Sequence, residues 1–329
     1  MRNMRIVVTG ALGHIGSSLI RGLPRAFPDA EILMVDNLRT NRYCSLFNLP
    51  AEGRYRFLEA DILKIDLDKT FAGASAVVHL AALTDATASF SNPEEVEEVN
   101  YRGTVKVAQA CIAADCSLIH MSSTSVYGTQ AETVDENCLE EDLKPQSPYA
   151  EAKLLEEKAL RTLCASAPLR FITMRNGTIC GTSPGMRFHT AVNKFCWQAV
   201  TRQPLTVWRT ALHQKRPYLC LSDAVAAIFF VLRNNLFDGK TYNVLTDNLT
   251  VQQIIKYIEQ HIPQVRIEYV DSAIMNQLSY EVSTARFQGL GFRFQGSPSA
   301  CIEDTISLLG GIVGYDLLPG NGTKTARST

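Results

Sequence analysis

Residues 5–20 read RIVVTGALGHIGSSLI, and this stretch decides the fold. It opens with a β-branched run, places glycines at positions 10, 13 and 16, and closes with the apolar spacing of a helix. Three glycines between a strand and a helix permit a tight turn, a close backbone approach to a pyrophosphate and close packing of helix on strand. The stretch therefore predicts a dinucleotide site at the N-terminus of the first helix.

An acidic residue ends the next predicted strand. Asp36 follows Gly16 by twenty residues, the spacing at which a carboxylate accepts hydrogen bonds from ribose hydroxyls. The same carboxylate would repel a 2′-phosphate, so we expect NAD rather than NADP, although Arg39 and Arg42 lie nearby in the sequence. The alternative is that the glycines form an empty turn and that Asp36 only caps its strand.

The first half of the chain alternates short apolar strands with helices, which predicts an α/β fold with a doubly wound, Rossmann-like parallel sheet. Predicted strands cover residues 5–8, 31–36, 54–61, 76–82, 117–123 and 169–175, and helices begin near Gly13, Pro93 and Pro148. After Gly181 the pattern changes to helices at 186–201, 222–232 and 250–261, the last with a threonine N-cap, and short strands at 242–245 and 266–270.

This change of pattern predicts the domain organisation. We expect residues 1–180 to form an NAD-binding domain and residues 181–318 to form a smaller α+β substrate-binding lobe, with the chain crossing back to the first domain. Residues 319–329, rich in Gly, Thr and Ser, are predicted to be a disordered tail.

Composition disfavours several classes of protein. With 32 Lys and Arg against 33 Asp and Glu, the net charge of −1 provides no basic field for nucleic acid or acidic membranes. No apolar run approaches the ~20 residues that span a bilayer. The nine cysteines show no CxxC spacing, so we expect reduced thiols, no metal site and a cytoplasmic location.

Tyr149 and Lys153 lie four residues apart on the helix that begins near Pro148, so both are expected on one helix face. A free phenol has a pKa of about 10, and a tyrosine that acts as a base near neutrality needs positive charge beside it. Ser123, at a predicted strand end, would donate to the same substrate oxygen. The three residues predict the oxidation of a secondary alcohol, and the alternative is an unrelated surface tyrosine and lysine.

The order and spacing of several segments resemble the extended short-chain dehydrogenase/reductase family, in particular its NAD-dependent nucleotide-sugar epimerases and dehydratases. The resemblance runs from residue 4 to about residue 310. The matching segments are TGALGHIG (9–16), VDNLRT (35–40), ADI (60–62), HLAA (79–82), VNYRGT (99–104), SSTSVYG (122–128), SPYAEAK (147–153) and RPYLCLSDAVAA (216–227).

The resemblance implies roles by position. Ser123, Tyr149 and Lys153 would be catalytic. NAD would contact Tyr149 and Lys153 together with Gly10, Gly13, His14, Ile15, Gly16, Asp36, Asn37, Asp61, Ile62, Leu80, Ala81 and Ala82, although Asp61 has the alternative of a plain turn residue. A nucleotide-diphosphate sugar would contact Thr84, Thr124, Thr178, Asn193, Arg209 and Arg216, with Arg187 as a weaker candidate. Because family members commonly pair, a homodimer is also implied.

Two departures from the family pattern narrow the implied reaction. The 4,6-dehydratases usually carry an Asp-Glu pair where this sequence has Thr124 and Ser125, and the glutamate of the related decarboxylases is also missing. Thr178 and Cys180 stand where relatives often have asparagine and tyrosine. The resemblance therefore implies epimerisation, most often at C4 of the sugar. A 5,6-eliminating dehydratase, a 4-keto-sugar reductase and a catalytically silent NAD sensor are the alternatives.

Overall fold

The computed structural model describes residues 4–128, 130, 133–271 and 280–312, so the predicted tail lies outside the described residues. The strands are β1 Arg5–Thr9, β2 Glu31–Asp36, β3 Arg54–Glu59, β4 Ala76–His79, β5 Ser117–Ser123, β6 Phe171–Asn176, β7 Thr178–Cys180, β8 Leu205–Trp208, β9 Lys215–Cys220, β10 Thr241–Val244, β11 Asp247–Thr250 and β12 Ile267–Val270. The helices are α1 His14–Ala26, α2 Leu67–Phe71, α3 Pro93–Val96, α4 Gly103–Ala113, α5 Pro148–Ser166, α6 Ala191–Val200, α7 Leu221–Asn234, α8 Val251–Glu259, α9 Ala285–Gly289 and α10 Pro298–Leu309.

Seven parallel strands form the central sheet in the order β10-β6-β5-β4-β1-β2-β3, which confirms the predicted Rossmann-like sheet. β4 and β6 are buried at every residue, as expected for strands covered by helices on both faces. The strand order reverses between β1 and β4. Open α/β sheets bind their ligands at such a reversal, outside the carboxyl ends of the strands.

The six strands predicted for the first half are all present, with shifted ends. β3 ends at Glu59 and β4 ends at His79, so Asp61 and residues 80–82 lie in the loops that follow. Asp61 stops its strand because its carboxylate Oδ1 accepts a hydrogen bond from Leu63 N at 3.0 Å and turns the chain.

The sequence pattern predicts the strand near residue 242 for the smaller lobe, and this prediction is wrong. β10 pairs in parallel with β6 at the edge of the main sheet, and Asn243 Oδ1 accepts a hydrogen bond from Tyr127 Oη at 2.9 Å. A four-residue strand has too little periodicity to reveal its sheet. Helix α7 also packs on the first half, because Phe229 meets Phe27 of the α1 C-cap with ring centroids 6.1 Å apart.

The smaller lobe contains β7, β8, β9, β11 and β12 with α6, α8 and α10. Three of these strands pair in the order β11-β9-β7, and β12 runs parallel to β8. The threonine N-cap of α8 is confirmed, because Thr250 and Gln253 form a capping box. Helix α6 begins at Ala191 rather than near residue 186, so residues 186–190 form a loop. The division of the chain at residue 181 stays a prediction.

Two further features bear on function. In the described part of the chain, no helix has both the length and the apolar character that crossing a membrane requires. All nine cysteines are free. Cys180, Cys220 and Cys301 place their Sγ atoms within 4.8 Å of one another, a cluster that spacing in the sequence does not reveal because its members come from β7, β9 and α10.

Candidate active site

A cavity of about 840 Å³ opens at the carboxyl ends of the central strands, beside the smaller lobe. Fourteen predicted site residues line it: Gly10, Gly13, His14, Ile15, Gly16, Leu80, Ala82, Thr84, Ser123, Thr124, Tyr149, Lys153, Thr178 and Arg216. Seven others are absent from the described wall: Asp36, Asn37, Asp61, Ile62, Ala81, Asn193 and Arg209. The fold thus brings two thirds of the predicted residues, from segments far apart in sequence, to one cavity.

The glycine loop fits against β2 and the loop after β4. Gly10 has φ +65°, donates to Val35 O at 2.8 Å and lies so close to the loop after β4 that a Cβ would be 2.6 Å from Ala81 N. At Gly16 a Cβ would be 2.5 Å from Gly10 O. Only glycine satisfies both positions, and the loop therefore enters α1 with its backbone exposed to a phosphate.

Asp36 connects β2 to this loop although it does not line the cavity. Its Oδ2 accepts from Leu12 N at 3.0 Å, and its Oδ1 accepts from Leu38 N at 2.9 Å. A carboxylate has about four acceptor sites, so two backbone donors leave capacity for ribose hydroxyls. The structure also places Arg42 in the cavity wall next to the loop.

The other predicted adenosine contacts are already engaged in turns. Asp61 accepts from Leu63 N through its side chain, and Asn37 Oδ1 accepts from Arg39 N at 3.1 Å. Ile62 is buried. A cofactor role for these three stays a prediction, and the turn alternative for Asp61 has a direct geometric basis.

Asn100 is a residue that the sequence analysis missed. It is buried in a π-helical segment, Glu97–Arg102, that joins α3 to α4. Its side chain accepts from Leu83 N at 2.7 Å and donates to Leu83 O at 2.8 Å, so it fixes the loop after β4 that lines the cavity. The VNYRGT segment contained this residue, but its role depends on which loop the π-helical segment contacts.

The predicted catalytic residues meet at the cavity wall. Ser147 caps α5 by accepting from Ala150 N, and Pro148 occupies the first turn, so Tyr149 stands at the start of the helix. Lys153 Nζ is 6.0 Å from the centroid of the Tyr149 ring. Ser123 Oγ accepts from Ser125 Oγ at 2.9 Å and from Ser125 N at 3.2 Å. The serine hydroxyl proton is therefore free to donate toward the cavity.

Behind this wall, Lys153 belongs to a buried polar network that the sequence analysis also missed. Lys153 Nζ donates to Glu156 Oε2 at 2.9 Å, and Thr104 Oγ1 donates to the same oxygen at 3.1 Å. His120 Nε2 lies 2.7 Å from it. Glu156 is completely buried. The sequence gives only a pair of glutamates after the helix motif, and the partners on α4 and β5 are not visible there.

The neighbouring glutamate serves a different partner. Glu157 receives two hydrogen bonds from Arg175, at 2.9 and 2.7 Å, and one from Ser122 Oγ at 2.6 Å. Burial lowers the pKa of Arg175, but the hydrogen bonds and charge of Glu157 outweigh burial and raise that pKa above its ordinary value. This ion pair fastens α5 to β6.

The substrate side of the cavity is strongly cationic. Arg216 lies 5.6 Å from the Trp208 ring, and its Nε and Nη2 are buried without hydrogen-bond partners. Arg187 contacts Thr84 Oγ1 while its buried Nε is unpartnered. Among the described residues of the wall, Asp85 is the one carboxylate, and its Oδ1 accepts from two turn amides. The wall therefore suits an anionic ligand.

Two predicted substrate residues are placed elsewhere. Asn193 is buried and donates to Arg187 O at 3.0 Å, so it supports the loop before α6. The Arg209 side chain is 64% exposed and lies 3.8 Å from Asp271. Its position in the sequence suggested the cavity, but the segment after β8 turns it to the surface.

Comparison with known proteins identifies the family that this chain resembles. The model of the NAD dependent epimerase/dehydratase family matches residues 6–244. An uncharacterized UDP-glucose epimerase of Bacillus subtilis is 29% identical over 265 residues, which are 78% of this chain and 81% of that protein. A second relative, from Arabidopsis thaliana, is 29% identical over 87% of this chain. It is a trifunctional UDP-glucose 4,6-dehydratase/UDP-4-keto-6-deoxy-D-glucose 3,5-epimerase/UDP-4-keto-L-rhamnose-reductase, and the match covers only 44% of its length.

A solved structure shows the same fold. The UDP-glucuronic acid 4-epimerase from Bacillus cereus, in complex with UDP-glucuronic acid and NAD, superposes with a TM-score of 0.84 at 23% identity. The superposition covers 94% of this chain and 99% of that one.

Proposed function

The chain belongs to the NAD dependent epimerase/dehydratase family, and from this premise we propose that it epimerises a nucleotide-diphosphate sugar at C4 of the hexose. One observation carries the proposal. Ser123, Tyr149 and Lys153 meet at one cavity wall, whereas the positions of the dehydratase acid pair hold Thr124 and Ser125. The site therefore has a proton relay for an alcohol and lacks the pair that expels water.

The residues present fit NAD. Gly10 and Gly16 form a cradle that a Cβ would fill, and Asp36 lies at the end of β2 with acceptor capacity left for a ribose. NAD, when bound there, would supply the acceptor and then the donor for a hydride at the sugar carbon. The glycine loop would hold the pyrophosphate at the N-terminus of α1, and Lys153 would donate to the nicotinamide ribose.

The chain's own residues would handle the proton. Tyr149, with the ammonium group of Lys153 beside it, would accept the proton of the sugar hydroxyl, and Ser123 would donate to the same oxygen and hold it in place. When the keto-sugar has turned over in the cavity, Tyr149 returns the proton to the ketone oxygen. Arg216 and Arg187, whose buried nitrogens are unpartnered, would bind the diphosphate while the sugar turns.

A dehydratase is the second candidate, because the Arabidopsis relative carries that activity in its name and Asp85 offers one carboxylate at the wall. Elimination needs an acid and a base near the leaving hydroxyl. Asp85 would have to serve with Tyr149 for this reaction. A 4-keto-sugar reductase would use the same three residues but consume reduced cofactor.

The test is incubation of the purified protein, without added cofactor, with UDP-, dTDP-, GDP- and CDP-sugars, followed by chromatography with mass spectrometry. A new peak of unchanged mass that Tyr149→Phe abolishes is the expected result. A product lighter by one water makes the protein a dehydratase. A nucleotide 4-keto-sugar is included in the panel, and its reduction only with added NADH makes the protein a reductase. The absence of any product from any of these substrates favours the NAD sensor.

We also propose a homodimer in the cytoplasm. The paired state follows from the family's common assembly, and the nine free cysteines suit a reducing compartment. Light scattering at working concentration measures the first proposal, and a monomer would contradict it. Fractionation of the source cells checks the second.

A further inference from the structure

Lys153 is a cation in a place that disfavours cations. Lys153 is only 5% exposed. Its neighbours on α5 are the phenol of Tyr149 and the carboxylate of Glu156. Moving an ammonium group out of water costs several kcal/mol unless an opposite charge is close. A lysine that must remain charged at this position therefore requires a permanent counter-ion.

The structure provides one carboxylate in contact with Lys153 within the described residues. Burial lowers the pKa of Lys153, yet the charge of Glu156, aided by Tyr149 and by the Glu156 hydrogen bond, raises it above its ordinary value overall. Burial raises the pKa of Glu156, and the charge of Lys153 with the hydrogen bond from His120 lowers it below its ordinary value overall. Both partners are therefore charged near neutrality.

The other titratable groups around the pair do not replace this carboxylate. The charge of Glu157 also raises the pKa of Lys153, but less than that of Glu156, and its carboxylate is paired with Arg175 of β6. His79 of β4 has its pKa lowered to about 3 by burial, with the charge of Lys153 adding to that effect, so it is neutral. His120 of β5 hydrogen-bonds to Glu156 and not to Lys153.

Glu156 is fixed in this position by a chain of hydrogen bonds that reaches the cofactor loop. Because Thr104 donates its proton to Glu156, His79 Nε2 donates to Thr104 Oγ1 at 3.2 Å, and Thr9 Oγ1 donates to His79 Nδ1 at 2.7 Å. Glu156 Oε1 is buried without a partner, so all of its contacts converge on Oε2. The carboxylate is thus aimed at Lys153 by the strands that hold the cofactor loop.

We propose that Glu156 is a positioning residue that keeps Lys153 protonated, so that the enzyme retains its proton relay at alkaline pH. The catalytic consequence rests on the proposed function, because it assumes that Tyr149 works beside a charged Lys153. The protonation itself does not depend on the substrate.

The main variant is Glu156→Gln, which keeps the shape and removes the charge. Without the anion, burial makes Lys153 lose its proton within the working range, so kcat falls as pH rises. We expect kcat within about threefold of wild type near pH 6 and lower by about tenfold or more near pH 9. The control is Glu151→Gln, which removes an exposed carboxylate from the same helix and should leave the pH profile unchanged.

A second measurement needs no substrate. In Glu156→Gln the folded state holds an unpaired buried ammonium at low pH, and its folded-state pKa falls below the unfolded value. The loss of stability relative to wild type is then largest near neutrality and shrinks as pH rises, because the folded variant releases its proton first. Urea unfolding of both proteins across this range gives the difference directly.

Replacing Lys153 by arginine tests the assignment to that residue, because arginine stays charged. The pH profile of Lys153→Arg should be unchanged by adding Glu156→Gln. A loss of both activity and stability in Glu156→Gln that is the same at every pH would overturn the proposal. A change in the pH dependence of kcat that is confined to acidic pH, with kcat retained at alkaline pH, would also overturn it. If no substrate is turned over, the proposed function fails and the unfolding measurement still decides the role of Glu156.

Discussion

The two walls of the cavity differ in how they treat their polar groups. On the cofactor wall, formed by residues 9–16 and 79–83 with Tyr149 and Lys153, the supporting charged and amide groups pair within the protein: Asp36 with two amides, Asn100 with Leu83 and Lys153 with Glu156. Two buried atoms on this side, His14 Nδ1 and Glu156 Oε1, have no partner. On the substrate wall, formed by residues 187–191 with Lys194, Trp208 and Arg216, the cationic groups themselves lack partners: Arg187 Nε and two Arg216 nitrogens are buried and unpaired, as is Thr190 Oγ1.

The difference has an energetic meaning. A buried polar group without a partner costs about 1–3 kcal/mol, and more when it is charged. The cofactor wall is therefore assembled by folding itself, whereas the substrate wall carries a cost that a ligand can relieve. Substitutions that break a contact within the cofactor wall should destabilise the ligand-free protein, whereas removal of an unpaired cation from the substrate wall should stabilise it.

The largest effect is expected at Tyr149 of the cofactor wall. Tyr149→Phe removes the group that moves the proton, so kcat should fall by about 10²–10⁴-fold with little change in unfolding free energy. The matched control is Tyr43→Phe, since Tyr43 is exposed on the surface and should change neither quantity. Equal turnover in Tyr149→Phe and wild type would remove this residue from the mechanism.

Gly10 tests how strictly the cofactor wall is assembled. Gly10→Ala places a Cβ 2.6 Å from Ala81 N and forces alanine to φ +65°, so we expect a loss of about 3 kcal/mol in unfolding free energy together with loss of retained NAD. Gly289→Ala is the control, because its Cβ meets nothing within 4 Å. A stable Gly10→Ala protein with NAD still bound would show that the loop adapts.

Part of the cofactor wall could be predicted from the sequence alone. The glycine loop and the Tyr149–Lys153 pair are local patterns, in which a turn or one helix face fixes the geometry, and both could be predicted. Asp36 follows from its spacing to the loop. These residues belong to the cofactor wall, and each follows from a turn, a helix face or a fixed spacing along the chain.

The rest depends on tertiary placement that local patterns do not contain. Glu156 acquires its role only when β5 brings His120 beside α5. Strand β10 pairs with β6 of the main sheet although most of the smaller lobe separates the two strands in sequence. Asn193 and Arg209 were expected at the substrate, but residues 186–190 are irregular and the turn after β8 sends Arg209 outward.

Arg216 tests the sign of the contrast on the substrate wall. Arg216→Met keeps the length and removes a cation whose buried nitrogens are unpartnered, so the ligand-free protein should gain about 1 kcal/mol while KM rises about 100-fold. Arg209→Met is the control and should leave KM within about twofold, because exposed charges contribute little. If Arg216→Met destabilises the ligand-free protein, the contrast between the walls is wrong.

The smallest effect concerns the choice of cofactor at Asp36. Asp36→Asn removes the charge that repels a 2′-phosphate, so the preference for NAD over NADP should fall about tenfold in binding titrations. Because an amide oxygen serves only one of the two backbone donors, Leu12 N or Leu38 N, unfolding free energy should fall by about 1 kcal/mol. Asp29→Asn is the control, since this exposed carboxylate lies at the opposite end of β2. An unchanged preference in Asp36→Asn would mean that Asp36 serves the glycine loop alone and does not discriminate between the two cofactors.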